Sequence, residues 1–154
     1  MAEIRNCLLP DDLLYHVDNN VWLRDMGDGS YQLGMTDIGQ SMAGTMLHCR
    51  VKKVGKKVKA GKSLATVESG KWVGPVKAPF ACVVVGKNEE VESNAKLLNE
   101  SPYRRGWIIQ VEPDDAAAAA GMLVASTDAI VGFESYMDEN EFTECIHCED
   151  WDGN

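Results

Sequence analysis

Apolar positions in this chain fall in short runs broken by glycine and small polar residues, and few runs reach helix length. Val21-Trp22-Leu23-Arg24 and Tyr31-Gln32-Leu33-Gly34-Met35 flank Asp28-Gly29-Ser30, the pattern of a hairpin with a glycine-containing turn. Residues 45–51 alternate as a strand does, and Gly55 and Gly61 punctuate the lysine-rich segment after it. Val67 on one side of Ser69-Gly70 and Trp72-Val73 on the other predict a second hairpin with a tight reversal. Residues 76–85 form another apolar run, and residues 107–111, closed by Pro113, form the last clear strand. Seven or eight short strands with frequent turn signals predict a compact sandwich or barrel.

Helical pattern is confined to a few places. Asp11-Asp12-Leu13-Leu14-Tyr15, after Pro10, reads as a turn or a single helical turn. Residues 37–43 read as a short helix capped by Thr36 or Asp37. Asp114-Asp115 before five alanines predicts a capped helix whose acids suit the positive end of its dipole. Ser126-Thr127-Asp128 is placed to cap a second helix through Tyr136, with Ile130, Val131, Phe133 and Met137 available to the sheet. Residues 1–137 are therefore read as one domain that includes C-terminal helices. Residues 138–154, with seven acids, are read as an acidic, flexible tail that Phe142 and Trp151 could anchor locally.

With 154 residues and 45% hydrophobic content, a real core is expected. No run is long enough to cross a membrane, and residues 1–7 lack a secretion pattern, so a cytoplasmic location is expected. Charge is divided unevenly. Residues 1–105 hold all 15 Lys and Arg against 12 acids, whereas residues 106–154 hold 12 acids and no Lys or Arg. Nucleic-acid binding is disfavoured by that acidic half. Residues 51–62 contain six lysines, read as a solvated strand and turn that blunts an exposed edge, or else as a dock for an acidic partner or polyanion.

Five cysteines in a chain read as cytoplasmic argue against a disulfide scaffold, and Cys7, Cys49 and Cys82 each read as small hydrophobes. Cys145-Ile146-His147-Cys148 has the spacing of a redox pair or half a zinc site, but no second pair completes the ligand set. No Ser/His/Asp set or phosphate-cradling glycine loop points to an independent enzyme. The remaining candidate is Lys71, on the tip of the second hairpin. Taken alone, that window most often means a solvated lysine.

Glu68-Ser69-Gly70-Lys71, then Ala78-Pro79, Val83-Val84-Val85 and Asn88, then Asn99, Pro102-Tyr103 and Gly106-Trp107, occur in an ordered series. With Trp22-Leu23, residues 31–36 and Gly44 upstream, the series resembles the H-protein family of lipoyl carriers, best known from glycine cleavage. The resemblance implies a mostly β barrel-sandwich hybrid with a short N-terminal helical element and C-terminal helices. It implies lipoic acid in amide linkage to Lys71, with Glu68 and the Gly70 reversal presenting that lysine and Glu68 near enough to tune its amine. It also implies a carrier rather than an enzyme, with lipoate ligase and dihydrolipoamide dehydrogenase as partners and no metal.

Where glycine-cleavage carriers continue with small residues and an acid, this chain has Trp72-Val73-Gly74-Pro75-Val76-Lys77. The family's next turn glycine is also replaced, near Phe80-Ala81-Cys82. The Glu-Ser-Gly-Lys-Trp-Val-Gly-Pro stretch is most similar to lipoate-binding proteins of heterodisulfide-reductase-like sulfur oxidation. That similarity implies a swinging arm carrying sulfur intermediates to a heterodisulfide-reductase-like complex. The alternatives are aminomethyl carriage between glycine decarboxylase and aminomethyltransferase, or an unlipoylated interaction domain.

Overall fold

The computed structural model describes residues 2–145, and within them the chain is mostly β with helices concentrated towards its C-terminal end. It opens with a hairpin of β1 (Ala2–Ile4) and β2 (Cys7–Leu9), turned by Arg5 and Asn6, both at positive φ. Asp11-Asp12 then form a turn, the first of the two readings for that segment, with no helical turn, and the chain passes directly into β3 (Leu14–His16). The strand forms because Leu14, Tyr15 and His16 pair with Leu23, Trp22 and Val21 of β4 (Val21–Asp25).

β5 (Tyr31–Met35) completes the predicted first hairpin, and α1 (Asp37–Ala43) comes next with Thr36 as its cap, the Thr36 hydroxyl accepting from Gly39 N at 3.1 Å. β6 (Met46–Val51), β8 (Ser63–Ser69) and β9 (Val73–Lys77) make a three-stranded antiparallel sheet, with the two-residue strand β7 (Lys57–Val58) between β6 and β8 in sequence. The apolar run at 76–85 is divided at residues 78–81: β9 ends at Lys77 and β10 (Cys82–Lys87) begins a different sheet. Short helices α2 (Glu89–Ser93) and α3 (Leu97–Glu100) lead to β11 (Ile109–Pro113). α4 (Ala116–Gly121), β12 (Val124–Ala125) and α5 (Ser126–Glu139) complete the series.

The larger sheet runs β12-β3-β4-β5-β11-β10-β7 and faces the three-stranded sheet. Alternate residues explain how it is covered on both sides. Val21 and Leu23 join Leu33, Leu64, Val67, Val84 and Val111 in one core between the sheets. Trp22 points the other way, into a second core with Tyr15, Tyr103, Ile38, Phe133 and Met137 beneath α5 and the β1–β2 hairpin. Gly34 lets the Trp22 ring lie flat on β5, since a Cβ there would sit 2.7 Å from the indole.

Two local expectations at the C-terminal end are corrected. Asp115 caps the alanine helix as predicted, but Ser126 does not cap α5: Ala125 holds that position, and the Ser126 hydroxyl donates to Asp11 Oδ1 at 2.6 Å. Of the expected apolar face, Phe133 and Met137 are buried while Val131 points to solvent.

The cysteine reading is corrected as well. Cys7 and Cys145 form a disulfide across 138 residues, with Cα atoms 4.9 Å apart. Distance in sequence conceals the pairing. Arg5 brings the two segments together, bonding Asp138 at 2.5 Å and the Phe142 carbonyl at 3.1 Å, while Cys145 N donates to Arg5 O at 3.0 Å. Residues 138–145 thus lie along the β1–β2 hairpin. His147, Cys148 and Trp151 lie outside the described residues.

Closing so long a loop gives about 5 kcal/mol of stabilisation in the chain-entropy model. Reduction should therefore lower the melting temperature of the wild-type protein to that of Cys7→Ser, which should itself be indifferent to reductant. A wild-type melting temperature unchanged by reductant would contradict the pairing.

Candidate functional site

β8 and β9 form the predicted second hairpin, with Glu68 opposite Val73 and Val67 opposite Gly74. Ser69 N donates to Trp72 O at 2.7 Å, leaving Gly70 and Lys71 as the two residues of the tip. Ser69 is buried, and its Oγ accepts from Lys71 N at 3.3 Å, so the serine ties down the turn from inside. Gly70 is not what the reversal depends on. Its φ is outside the left-handed region, and a Cβ there would meet nothing within 4 Å.

Lys71 is exposed, and its side chain lies across the start of the neighbouring loop rather than extending straight from the tip. A Cβ on Gly44 would sit 3.1 Å from Lys71 Cε. Gly44 ends α1 with φ of +85°, donating its N–H to Gln40 O. Glu68 is also exposed, between His48 of β6 and Val73 of β9, and makes no ion pair with Lys71.

Trp72 folds its ring back along β9. A Cβ on Gly74 would lie 2.2 Å from Trp72 Cζ2, so glycine at 74 is what lets the indole lie there. The indole thus packs along its own strand. Lys71 and Trp72 together form one wall of a cleft of about 640 Å³. Asn20, Gly39, Met42 and Ala43 form the α1 side, and Tyr136 of α5 with Asn140 just beyond its end form another.

The Asn99 side chain builds the ground under this site. It donates to Gly44 O at 2.8 Å and Gln40 Oε1 at 3.0 Å, and accepts from Met46 N at 2.8 Å. Gln40 in turn donates to Asp37, a buried carboxylate that accepts from Leu8 N at 2.9 Å. Tyr103 donates its hydroxyl to Leu8 O and accepts from Asp37 N at 2.8 Å. Pro102 O receives Trp22 Nε1 at 2.8 Å, and a Cβ on Gly106 would strike two carbonyl oxygens at 2.6 Å. Asn99, Gly44 and the cleft residues Asn20 and Asn140 carried no assigned role from sequence. Asn99 and Gly44 were visible only as members of an ordered series.

The lysine-rich segment is at the other end of the small sheet. Lys62 adjoins the start of β8, about 20 Å from the tip at the rise of a seven-residue strand. Lys57 lies on β7, an edge of the larger sheet, as edge-blunting requires. The buried cysteines have no nucleophilic setting. Burial pushes the Cys49 thiol up to about 12 and Cys82 to about 11, with Glu92 and Asp114 adding to each shift. Among the described residues no cluster of three or more His, Cys, Asp or Glu could hold a metal ion, and no helix is long and apolar enough to cross a membrane.

The family model described as "Glycine cleavage H-protein" matches residues 13–135. This chain belongs to the glycine cleavage H-protein family. It is 40% identical over 145 residues to glycine cleavage system H protein 2 of Aquifex aeolicus, covering 94% of this chain and 89% of that one. It is 43% identical over 114 residues to the probable glycine cleavage system H protein 2 of Sulfurisphaera tokodaii, covering 73% and 77%. A crystal structure of a glycine cleavage system H protein from Mycobacterium marinum superposes with a TM-score of 0.69 at 25% identity, covering 79% of this chain and 95% of that one. The barrel-sandwich hybrid expected from sequence is thereby established.

Family members are carriers, not catalysts, and carry a lipoyl-lysine. Membership implies lipoate ligase and lipoamide dehydrogenase as partners, whereas nothing in these relatives' names points to a heterodisulfide-reductase-like complex.

Two measurements check this geometry. Asn99→Ala leaves Met46 N and Gly44 O without their side-chain partner and should cost about 2–4 kcal/mol in urea unfolding; a loss under about 1 kcal/mol would contradict the bridging role. Cys49 and Cys82, protonated well above the ordinary thiol range, should resist iodoacetamide at pH 8 until the protein is unfolded. Because both are raised, their contribution to stability is complete below about pH 8.5 and falls as pH rises towards those folded-state values.

Proposed function

We propose that Lys71 is the lipoyl attachment site and that this cytoplasmic chain carries the aminomethyl group between glycine decarboxylase and aminomethyltransferase. The observation that supports it is an exposed amine on a two-residue β-turn tip, beside a cleft of about 640 Å³. The attached group supplies a dithiolane that opens to two thiols and so can hold a transferred group.

The chain's own residues do the rest. Ser69 fixes the turn, and the β8–β9 ladder gives the arm a stiff base. Gly44 lets the aliphatic part of Lys71 lie close to the α1 end without a Cβ in the way. Asn20 and Asn140 line the cleft with neutral amides, able to donate or accept hydrogen bonds. Gly70 is exposed, and a Cβ there would meet nothing within 4 Å, so the residue before Lys71 adds no bulk at the tip. Glu68 supplies a negative charge on the outer face of the same hairpin.

A second reading, sulfur carriage on the same lipoyl-lysine for a heterodisulfide-reductase-like complex, draws on Trp72. The tip's departure from glycine-cleavage carriers is a coupled one, since Gly74 makes room for that indole. The names of the relatives favour glycine cleavage.

In the deciding experiment wild type and Lys71→Arg are each taken through lipoylating conditions, then incubated with glycine and a glycine decarboxylase, and read by intact mass. Wild type should gain an aminomethyl group and Lys71→Arg should not. A lipoylated wild type that refuses the aminomethyl group but keeps sulfur from a sulfane donor would overturn the first reading in favour of the second.

A further inference from the structure

The hairpin tip is ringed by apolar side chains that the fold does not need. Leu47 is 52% exposed, Val73 62% and Trp72 40%. Each is held outward by an identifiable device. β6 and β8 slip register between Met46 and His48, and the bulge leaves Leu47 and His48 exposed in succession, breaking the alternation. Val73 pairs with Glu68 on the outer face of the ribbon, two residues from the tip. Trp72 lies on the cleft side, its ring fixed over Gly74.

The ribbon therefore presents apolar surface on both faces around Lys71. A sheet of three strands gains nothing from leaving a leucine, a valine and an indole in water at about 25 cal/mol per Å² of apolar area. Rigid aromatic anchors beside aliphatic neighbours are the usual centre of a protein contact.

We infer that Leu47, Trp72 and Val73 are the contact surface for the lipoate ligase that acylates Lys71. The inference rests on Lys71 being the lipoylated residue. Continuity with that amine argues for this occupant. In the transfer, Nζ loses a proton to solvent and attacks the acyl carbonyl of the lipoyl-adenylate that the ligase makes from lipoate and ATP. The amide C–N bond forms, the acyl–phosphate bond breaks, and AMP leaves. An enzyme reaching Nζ must cover the residues on both sides of the tip, and those residues are this collar. The ring of Trp72 already lies against Gly74, so covering it there needs no rearrangement of the side chain.

The test is lipoylation kinetics with a lipoate ligase from the same cell, lipoate and ATP, read by intact mass. The full-length proteins compared are wild type, Leu47→Ser, Trp72→Ser and Val73→Ser, with Val54→Ser as an exposed apolar control at the lysine-rich end. Circular dichroism and melting temperature establish that each is folded. Each collar substitution should raise the KM for the carrier about fivefold or more, corresponding to a contact of about 1 kcal/mol. Val54→Ser should match wild type.

Lys71→Arg, which binds but cannot be acylated, should inhibit lipoylation of wild type with a constant near the wild-type KM. Adding Leu47→Ser and Val73→Ser to it should weaken that inhibition. Folded collar variants lipoylated at the wild-type KM would overturn the inference while leaving the attachment site standing. The same result accompanied by impaired loading by glycine decarboxylase would assign the collar to that enzyme instead. A folded wild type that is never lipoylated would overturn the attachment reading, and the collar assignment with it.

Discussion

One carboxamide holds the working end of this molecule together. Asn99 binds the carbonyl of Gly44 at the end of α1 and the amide of Met46 at the start of β6. Both groups lie at a junction where no helix or strand ladder would satisfy them, so the side chain takes the place of regular structure. β6 then sets the position of β8 through its ladder, and β8 sets β9. Lys71 is the far end of that chain of dependence, and its side chain lies back on Gly44, where the chain began.

Such a closed circuit suits a carrier. A long tethered arm is flexible by construction, and order at its root limits the volume it searches. The sheet below is packed on both faces, and the second core is bound at its periphery by Arg5, Asp11 and the Cys7–Cys145 link. Stability is thus concentrated away from the tip, where Gly70 and Lys71 make few contacts. Stiffness at the base and openness at the apex are separate properties here, supplied by different residues.

Much of this was legible from short-range pattern. The β4–β5 hairpin, Thr36 capping α1, the alanine helix behind Asp115 and the β8–β9 tip all arise from local chemistry, and each formed as read. Five strands of two or three residues were not legible, because such lengths carry no alternation to detect. Ser126 was misread as a cap because its true partner, Asp11, lies 115 positions away. The Cys7–Cys145 link was missed for the same reason, compounded by an inference from compartment. At the site, Lys71 was visible through its flanking residues, but the cleft was not, since it is assembled from β4, α1, β9 and α5. The ordered asparagine, tyrosine and glycine near 99–106 marked a family before any physical task could be given to them.

The central claim is that a single amine among ten lysines is singled out by the tip that bears it. Peptide mapping by tandem mass spectrometry, on protein purified from its own cells, tests this most directly. A lipoyl amide on Lys71, with the lysines of 52–62 unmodified, is the predicted result. A chain bare at Lys71, or lipoylated at another lysine, would contradict the account.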